Sequence, residues 1–248
     1  MWINNKEVFK LTDEQKLKKV EELIGYTYND ISLLKLALTH KSYAYEKGIT
    51  SNNDYNERIE YLGDAILEHI ISDMLYNDKK VYSEGEMTKK RAAIVCETSL
   101  SLALKEIGLQ DYIYLGKCET QSLVAKKDAI IADCFEAILG SIYIDGGYDK
   151  AKEFVLTKLS IQIKEVLEGK DFNTDYKTKL QEILQKNGSV KIEYKLLKEE
   201  GPEHNKTFYV EVVFNGKKIG EGVGKNKKEA AQKAAKEAIE RIHKGERF

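Results

Sequence analysis

Between Asp13 and about Leu167 the apolar residues recur at three- and four-residue spacing, as in Leu33, Leu34, Ala37 and Leu38 and again in Ile59, Leu62, Ile66 and Ile70. That is the period of a helix with one buried face. Further helices are predicted over Glu86 to Ile107, Lys127 to Asp145 and Tyr148 to Leu167, with Gly108 and Gly146-Gly147 as stop signals. The polar stretch Glu168 to Thr174 carries Gly169 and no period, so it reads as a linker between a helical domain, 1–167, and a second domain, 175–244. Past it the period changes. A short helix carries Leu180, Ile183 and Leu184 on one face and stops at Asn187-Gly188, and a strand follows from Ile192 to Leu197, with a turn at Gly201-Pro202. Phe208, Val210, Val212 and Phe214 then alternate inward while Tyr209, Glu211 and Val213 face out. Asn215-Gly216 is a strong hairpin signal leading into Lys217 to Val223. The chain closes on a helix from about Lys227 to His243, whose Ala230, Ala231, Ala234, Ala235, Ala238 and Ile239 allow close approach to a sheet. The predicted fold is an all-α domain followed by a small α+β domain of order α-β-β-β-α.

At 248 residues and 42% hydrophobic the chain has material for real cores. The longest apolar run, Ala137 to Ile144, is broken by Gly140 and Ser141 and falls short of the roughly 18 residues a membrane span needs. The N-terminus lacks the pattern of a secretory signal, so a cytosolic protein without membrane contact is expected. Cys96, Cys118 and Cys134 are odd in number and include no C-x-x-C pair, which reads as reduced, mostly buried thiols and neither a disulfide framework nor a zinc site. The net charge of -1 hides an asymmetry: 23 basic and 29 acidic residues up to residue 174 give -6, and 17 basic against 12 acidic after it give +5. A basic C-terminal module suggests a polyanion partner, and an acidic first half suggests something that handles cations.

The segment Asn56-Glu57-Arg58-Ile59-Glu60-Tyr61-Leu62-Gly63-Asp64-Ala65 places Glu57, Glu60 and Asp64 at i, i+3 and i+7, within about 60° of one another on a helix. Like charges in one stripe repel and call for a counter-charge, for which a divalent cation is the natural candidate. A lone stripe of this kind is most often a solvated face. Asp133 and Glu136 repeat the i, i+3 spacing inside an otherwise apolar helix, with no Lys or Arg at i+4 from either. Buried carboxylates need partners. If the two helices pack side by side, Glu60, Asp64, Asp133 and Glu136 can form an all-oxygen site suited to magnesium or manganese and not to zinc.

The stretch N-E-R-I-E-Y-L-G-D-A resembles the signature of ribonuclease III, and Asp133-x-x-Glu136 matches the second acidic motif of that family. Leu33-Leu34 with Ala37 to Tyr43 looks like the helix and turn before the signature, and Glu84-Gly85-Glu86-Met87 with Arg91-Ala92 resembles the segment that supplies another site acid. The resemblance covers nearly the whole chain. It implies that Glu60, Asp64, Asp133 and Glu136 form the metal site, with Asp64 and Glu136 least replaceable and Glu57 and Glu84 as outer, supporting acids. It implies a magnesium cofactor, with manganese as a substitute and no organic cofactor, and cleavage of double-stranded RNA to 5′-phosphate and 3′-hydroxyl ends. It also implies a homodimer in which the aromatic after the second signature acid, here Tyr61, packs into the partner. Processing of ribosomal RNA precursors and other structured transcripts is the expected task.

In the second domain Lys225, Lys227 and Lys228 cluster at the start of the last helix, where cations oppose the helix dipole and a bound phosphate would reverse the sign. A solvated lysine cluster is the competing reading. Lys177 to Glu182, Gly201 to Lys206 and Gly222 to Ala230 look like the three contact regions of the double-stranded-RNA-binding domain. By that resemblance Thr178, Gln181 and Glu182 touch one minor groove, Pro202 and His204 the next, and Lys225, Lys227 and Lys228 the phosphates between. The sequence departs from the pattern at Asp175-Tyr176, where a proline often follows the acid, and at Ala231, where a lysine is common. A protein that binds RNA without cutting it would be expected to lose some of the six site acids, yet Asp or Glu fills all six positions. A structural or interaction protein whose acids are only a solvated face would be told apart by magnesium binding that needs Asp133 and Glu136.

Overall fold

The computed structural model describes residues 11–117, 124–170, 172, 176–185, 191–201 and 206–246, with only the backbone of 124–127. The chain divides into two compact units, Met1–Asn173 and Thr174–Phe248. None of the described helices is long and apolar enough to cross a membrane.

The described elements of the first unit are helices: α1 (Asp13–Ile24), α2 (Ile31–Leu38), α3 (Lys41–Glu46), α4 (Glu57–Tyr76), α5 (Glu84–Ile94), α6 (Glu97–Glu106), α7 (Val124–Lys158) and α8 (Ser160–Leu167), with a 3-10 turn at Leu109–Tyr112 and one isolated bridge between Thr39 and Tyr114. Helix starts follow local chemistry. The Thr12 and Ser83 side chains each accept from the third helical N–H while Gln15 and Glu86 reach back, closing two capping boxes. Helices α4 and α7 form the central pair, α2 and α6 pack on α7, and α5 packs on α4. Their shared core includes Leu67, Ile70, Ile71, Leu75, Phe135 and Ile138, each at most 1% exposed. The predicted period of Ile59, Ile66 and Ile70 is therefore the buried face of α4, with Leu62 packed at its edge. Asp145 accepts hydrogen bonds from the Tyr26 hydroxyl (2.6 Å) and from the N–H groups of Asn29 (2.9 Å) and Asp30 (2.8 Å), pinning the loop before α2 to the middle of α7.

Two helix boundaries of the first unit differ from the sequence reading. The helix expected over Glu86 to Ile107 is two, broken at Val95 and Cys96, where Cys96 is extended (φ -69°, ψ 153°). No glycine or proline marks this break. Its cause is tertiary, since α5 packs on α4 and α6 on α7, and one straight helix could not serve both. At Gly147 (φ 80°, ψ -176°) the chain kinks, at the break expected from Gly146-Gly147, and a second helical stretch follows. The helix expected over Tyr148 to Leu167 is interrupted at Leu159 (φ -98°, ψ 11°). Cys134 is a buried free thiol, Cys96 is half-buried, and Cys118 lies outside the described residues.

The second unit has the order α9 (Tyr176–Gln185), β1 (Ile192–Glu200), β2 (Thr207–Phe214), β3 (Lys217–Gly224) and α10 (Lys227–His243), the strands forming an antiparallel meander β1-β2-β3. The expected stop at Asn187-Gly188 and the turn residue Pro202 fall outside the described residues. Asn215 (φ 48°) and Gly216 (φ 84°) both adopt the left-handed conformation that a tight hairpin requires. Strand β1 runs past Leu197 to Glu200, continuing its ladder to Thr207. Val213, expected outward, is only 5% exposed, beside a register shift between Val212 and Val213 that also turns Ile219 into the core. Helix α10 lies on β3 and β2 through its alanines. The sheet meets them with glycine. A Cβ on Gly222 would stand 2.1 Å from the Ala230 carbonyl oxygen and 2.3 Å from the Ala234 nitrogen.

Because both obstacles are backbone atoms, Gly222→Ala can be accommodated only by moving helix from sheet. Overpacking of this kind costs about 1–3 kcal/mol. Thermal unfolding should show the transition of the second unit falling by roughly 10 °C, with the first unit unchanged. An unshifted second transition would mean that helix and sheet are not held this close.

Candidate functional site

The site begins with a backbone contact. A Cβ on Gly63 of α4 would stand 1.8 Å from the carbonyl oxygen of Glu136, and one on Gly140 of α7 would stand 2.3 Å from the carbonyl oxygen of Ile59. Only hydrogen at both positions permits the crossing. Glu60 lies one turn before Gly63, Glu136 one turn before Gly140, and Asp133 one turn earlier still, so the contact carries the three acids together. Each of these three offers a carboxylate oxygen, and those oxygens all lie within 4.8 Å of one another, half-buried.

Burial and mutual repulsion disfavour the ionised forms. The Glu136 carboxyl is pushed up to about 8, by burial first and then by Asp64, Asp133 and Glu60. Glu60 rises to about 7, by burial and then by Asp133 and Glu57. Asp133 rises to about 6, by burial and then by Glu97. Lys41 opposes the last two shifts without cancelling them, its ammonium being paired with Glu57 at 2.6 Å. Three oxygen donors with an unmet demand for positive charge fit a hard divalent cation. The neighbouring Cys134 is buried with its Sγ 3.9 Å from the Ala37 carbonyl oxygen, and among the described residues no soft ligand joins the set.

Not every expected acid converges. Asp64 follows Glu60 by one turn and is exposed; it is the largest charged influence on Glu136 yet lies outside the close triad. Glu57 is exposed beside Lys41. Glu84 opens α5, accepts from the Thr88 hydroxyl at 3.0 Å, and lines a separate cavity of about 460 Å³ with His69, Asp73, Tyr76 and Arg91. It does not reach the triad within one chain, being beside the far half of α4. Tyr61 is 80% exposed. Two acids were not anticipated. Glu68 continues the α4 stripe one turn past Asp64 and pairs with Arg91 at 2.5 Å, a position the same helical spacing could have indicated. Glu97, at the start of α6, acts on Asp133 across the fold, and nothing in local spacing could have indicated it.

In the second unit Thr178 and Gln181 line a polar groove of about 540 Å³ with Lys228. Glu182 is exposed on α9, and Lys225, Lys227 and Lys228 are exposed around the start of α10, which Asn226 caps by accepting from the Glu229 N–H at 2.8 Å. Pro202 and His204 lie outside the described residues.

Comparison with known proteins follows the same division. The family model described as Ribonuclease-III-like matches residues 30–163, and the one described as Double-stranded RNA binding motif matches residues 176–242. The chain is 43% identical over 226 residues to Ribonuclease 3 of Pelotomaculum thermopropionicum, covering 91% of this chain and 93% of the relative. It is 44% identical over 229 residues to Ribonuclease 3 of Oceanobacillus iheyensis, covering 92% and 98%. Among solved structures, the nuclease domain of ribonuclease III from Campylobacter jejuni superposes with a TM-score of 0.52 at 32% identity, covering 60% of this chain and 98% of that one.

The raised carboxyls set the sign of a pH effect. A carboxyl that binds its proton more tightly folded than unfolded contributes stability fully at pH values below its ordinary 3.8 to 4.5, and this contribution is lost as pH rises through 6 to 8. In the absence of divalent metal at pH 8, Glu136→Gln should therefore raise the melting temperature of the first unit. The gain should be about 1–2 kcal/mol after discounting for solvent screening, or roughly 3–6 °C. Magnesium should stabilise the wild type more at pH 8 than at pH 6 and the variant hardly at all. Equal magnesium responses in the two proteins would contradict the triad as a metal site.

Proposed function

The chain belongs to the ribonuclease III family and is a metal-dependent endoribonuclease acting on double-stranded RNA, and from that premise we propose that Glu60, Asp133 and Glu136 hold its ion, with Asp64 completing the set. The observation that carries this reading is the meeting of three half-buried carboxylates at a glycine-tight helix crossing, each pushed toward its neutral form. Magnesium is the proposed ion and manganese a substitute, since both prefer oxygen donors. Once bound, such an ion supplies Lewis-acid activation of water and neutralises charge at the scissile phosphodiester. The protein's own part is positional and protonic. Glu60 and Glu136 give up the protons they hold near neutral pH, and the crossing keeps their oxygens from spreading apart under the repulsion that remains. Exposed Asp64 stands on the solvent side, where the RNA backbone can approach. Glu57 and Glu84 are assigned supporting roles as outer acids.

Cleavage is proposed to leave 5′-phosphate and 3′-hydroxyl ends. Catalysis is assigned to the helical domain and grip on the duplex to the second. There Thr178, Gln181 and Glu182 face one minor groove, Pro202 and His204 the next, and Lys225, Lys227 and Lys228 the phosphates, a mode that reads A-form shape and 2′-hydroxyls in preference to sequence. The working form is proposed to be a homodimer, and the 80% exposed ring of Tyr61 on α4 is available to such a contact. Structured precursors of ribosomal and messenger RNA are the proposed substrates and the cytosol the proposed compartment.

Cleavage of an end-labelled RNA duplex tests the assignment. Wild type should cut only with magnesium or manganese, and Glu136→Gln should bind the duplex with unchanged affinity while kcat falls at least about a thousandfold. Wild type that binds without cutting in either metal, or a variant that cuts normally, would refute it.

A further inference from the structure

Several of the RNA-contacting side chains proposed for the second unit stand on two different helices. Thr178 and Gln181 belong to α9 and Lys228 to the first turn of α10, and one groove lies between them. The helices share a core of Leu180 and Leu184 with a run of alanines. Alanine faces let two helices come close but offer few ridges to fix one along the other. A directional contact supplies what that packing lacks. The first N–H groups of a helix have no acceptor inside it, and here the Lys177 N–H donates to the Oε1 of Gln232, across from α10, at 3.0 Å. One turn along α10, the Lys236 ammonium sits 5.6 Å from the centre of the Tyr176 ring. The start of α9 is thus held by two side chains from one face of α10.

We infer that Gln232 is a positioning residue for duplex recognition, fixing the α9 side chains at the offset from the α10 lysines that the grooves of A-form RNA require. A protein that reads shape across successive grooves depends on the spacing of its contacts. The phosphate-facing Lys227 and Lys228 stand on the helix that carries Gln232 and are unaffected by loosening of α9. The inference rests on the RNA face assigned above.

Gln232→Met tests it in the full-length enzyme, since methionine keeps the length and helix-forming character of the side chain but removes the acceptor. KM for an RNA duplex should rise roughly three- to tenfold, the equivalent of one lost hydrogen bond, with kcat unchanged and the salt dependence of binding unaltered. The Lys177 amide should exchange with solvent faster while the amides of α10 keep their protection. An unchanged KM, a fall in kcat, or an unchanged Lys177 exchange rate would overturn the inference. Lys228→Ala serves as the companion. If it weakens binding while Gln232→Met does not, only the positioning role fails; if neither weakens binding, the assigned RNA face is wrong and the positioning role falls with it.

Discussion

Gly63 and Gly140 bring two helix backbones into contact, and the chemistry of the first unit depends on that contact. Helices in proteins usually pack with axes 8–10 Å apart because side chains intervene. Here a methyl group at either glycine would overlap a carbonyl oxygen of the other helix. Glycine inside a helix costs about 1 kcal/mol relative to alanine, and two are kept at the one place where that cost permits a crossing. The acids stand one turn before each glycine, so the same contact that joins the helices closes the carboxylate triad.

The triad works against the fold that makes it. Three carboxyls partly removed from water repel one another, and the nearest lysine is engaged with Glu57. Other acids of the same domain are held differently: Asp145 by backbone N–H groups, Glu86 in a capping box, Glu68 by Arg91. What separates Glu60, Asp133 and Glu136 from these is that the charges acting on them are mostly those of other acids, so their demand is for an ion from outside the chain. The basic second domain is the counterpart, its lysines gathered where a helix start already favours anions.

Much of this was legible in the residues. A three-to-four period marks α4 and α7 because each buries one face, and the left-handed preference of Asn-Gly marks the hairpin at Asn215. The acid pairs stood out because they sit at helical spacing among apolar neighbours. What escaped is set by contacts distant in sequence. The break at Val95 and Cys96 exists because α5 and α6 pack on different helices, Glu97 reaches Asp133 only through the fold, and Val213 is covered through a register shift that alternation cannot foresee. Asp64, grouped with the triad by its spacing, lies exposed beside it and is the foremost charge acting on Glu136.

The most direct test of the metal centre is crystallographic. Crystals soaked in manganese and measured near its absorption edge should show one strong anomalous peak bridging the carboxylates of Glu60, Asp133 and Glu136, at oxygen distances of roughly 2.0–2.3 Å. The peak should vanish in Glu136→Gln. A peak bound elsewhere, or none in crystals of protein that still cuts RNA with manganese, would contradict the account.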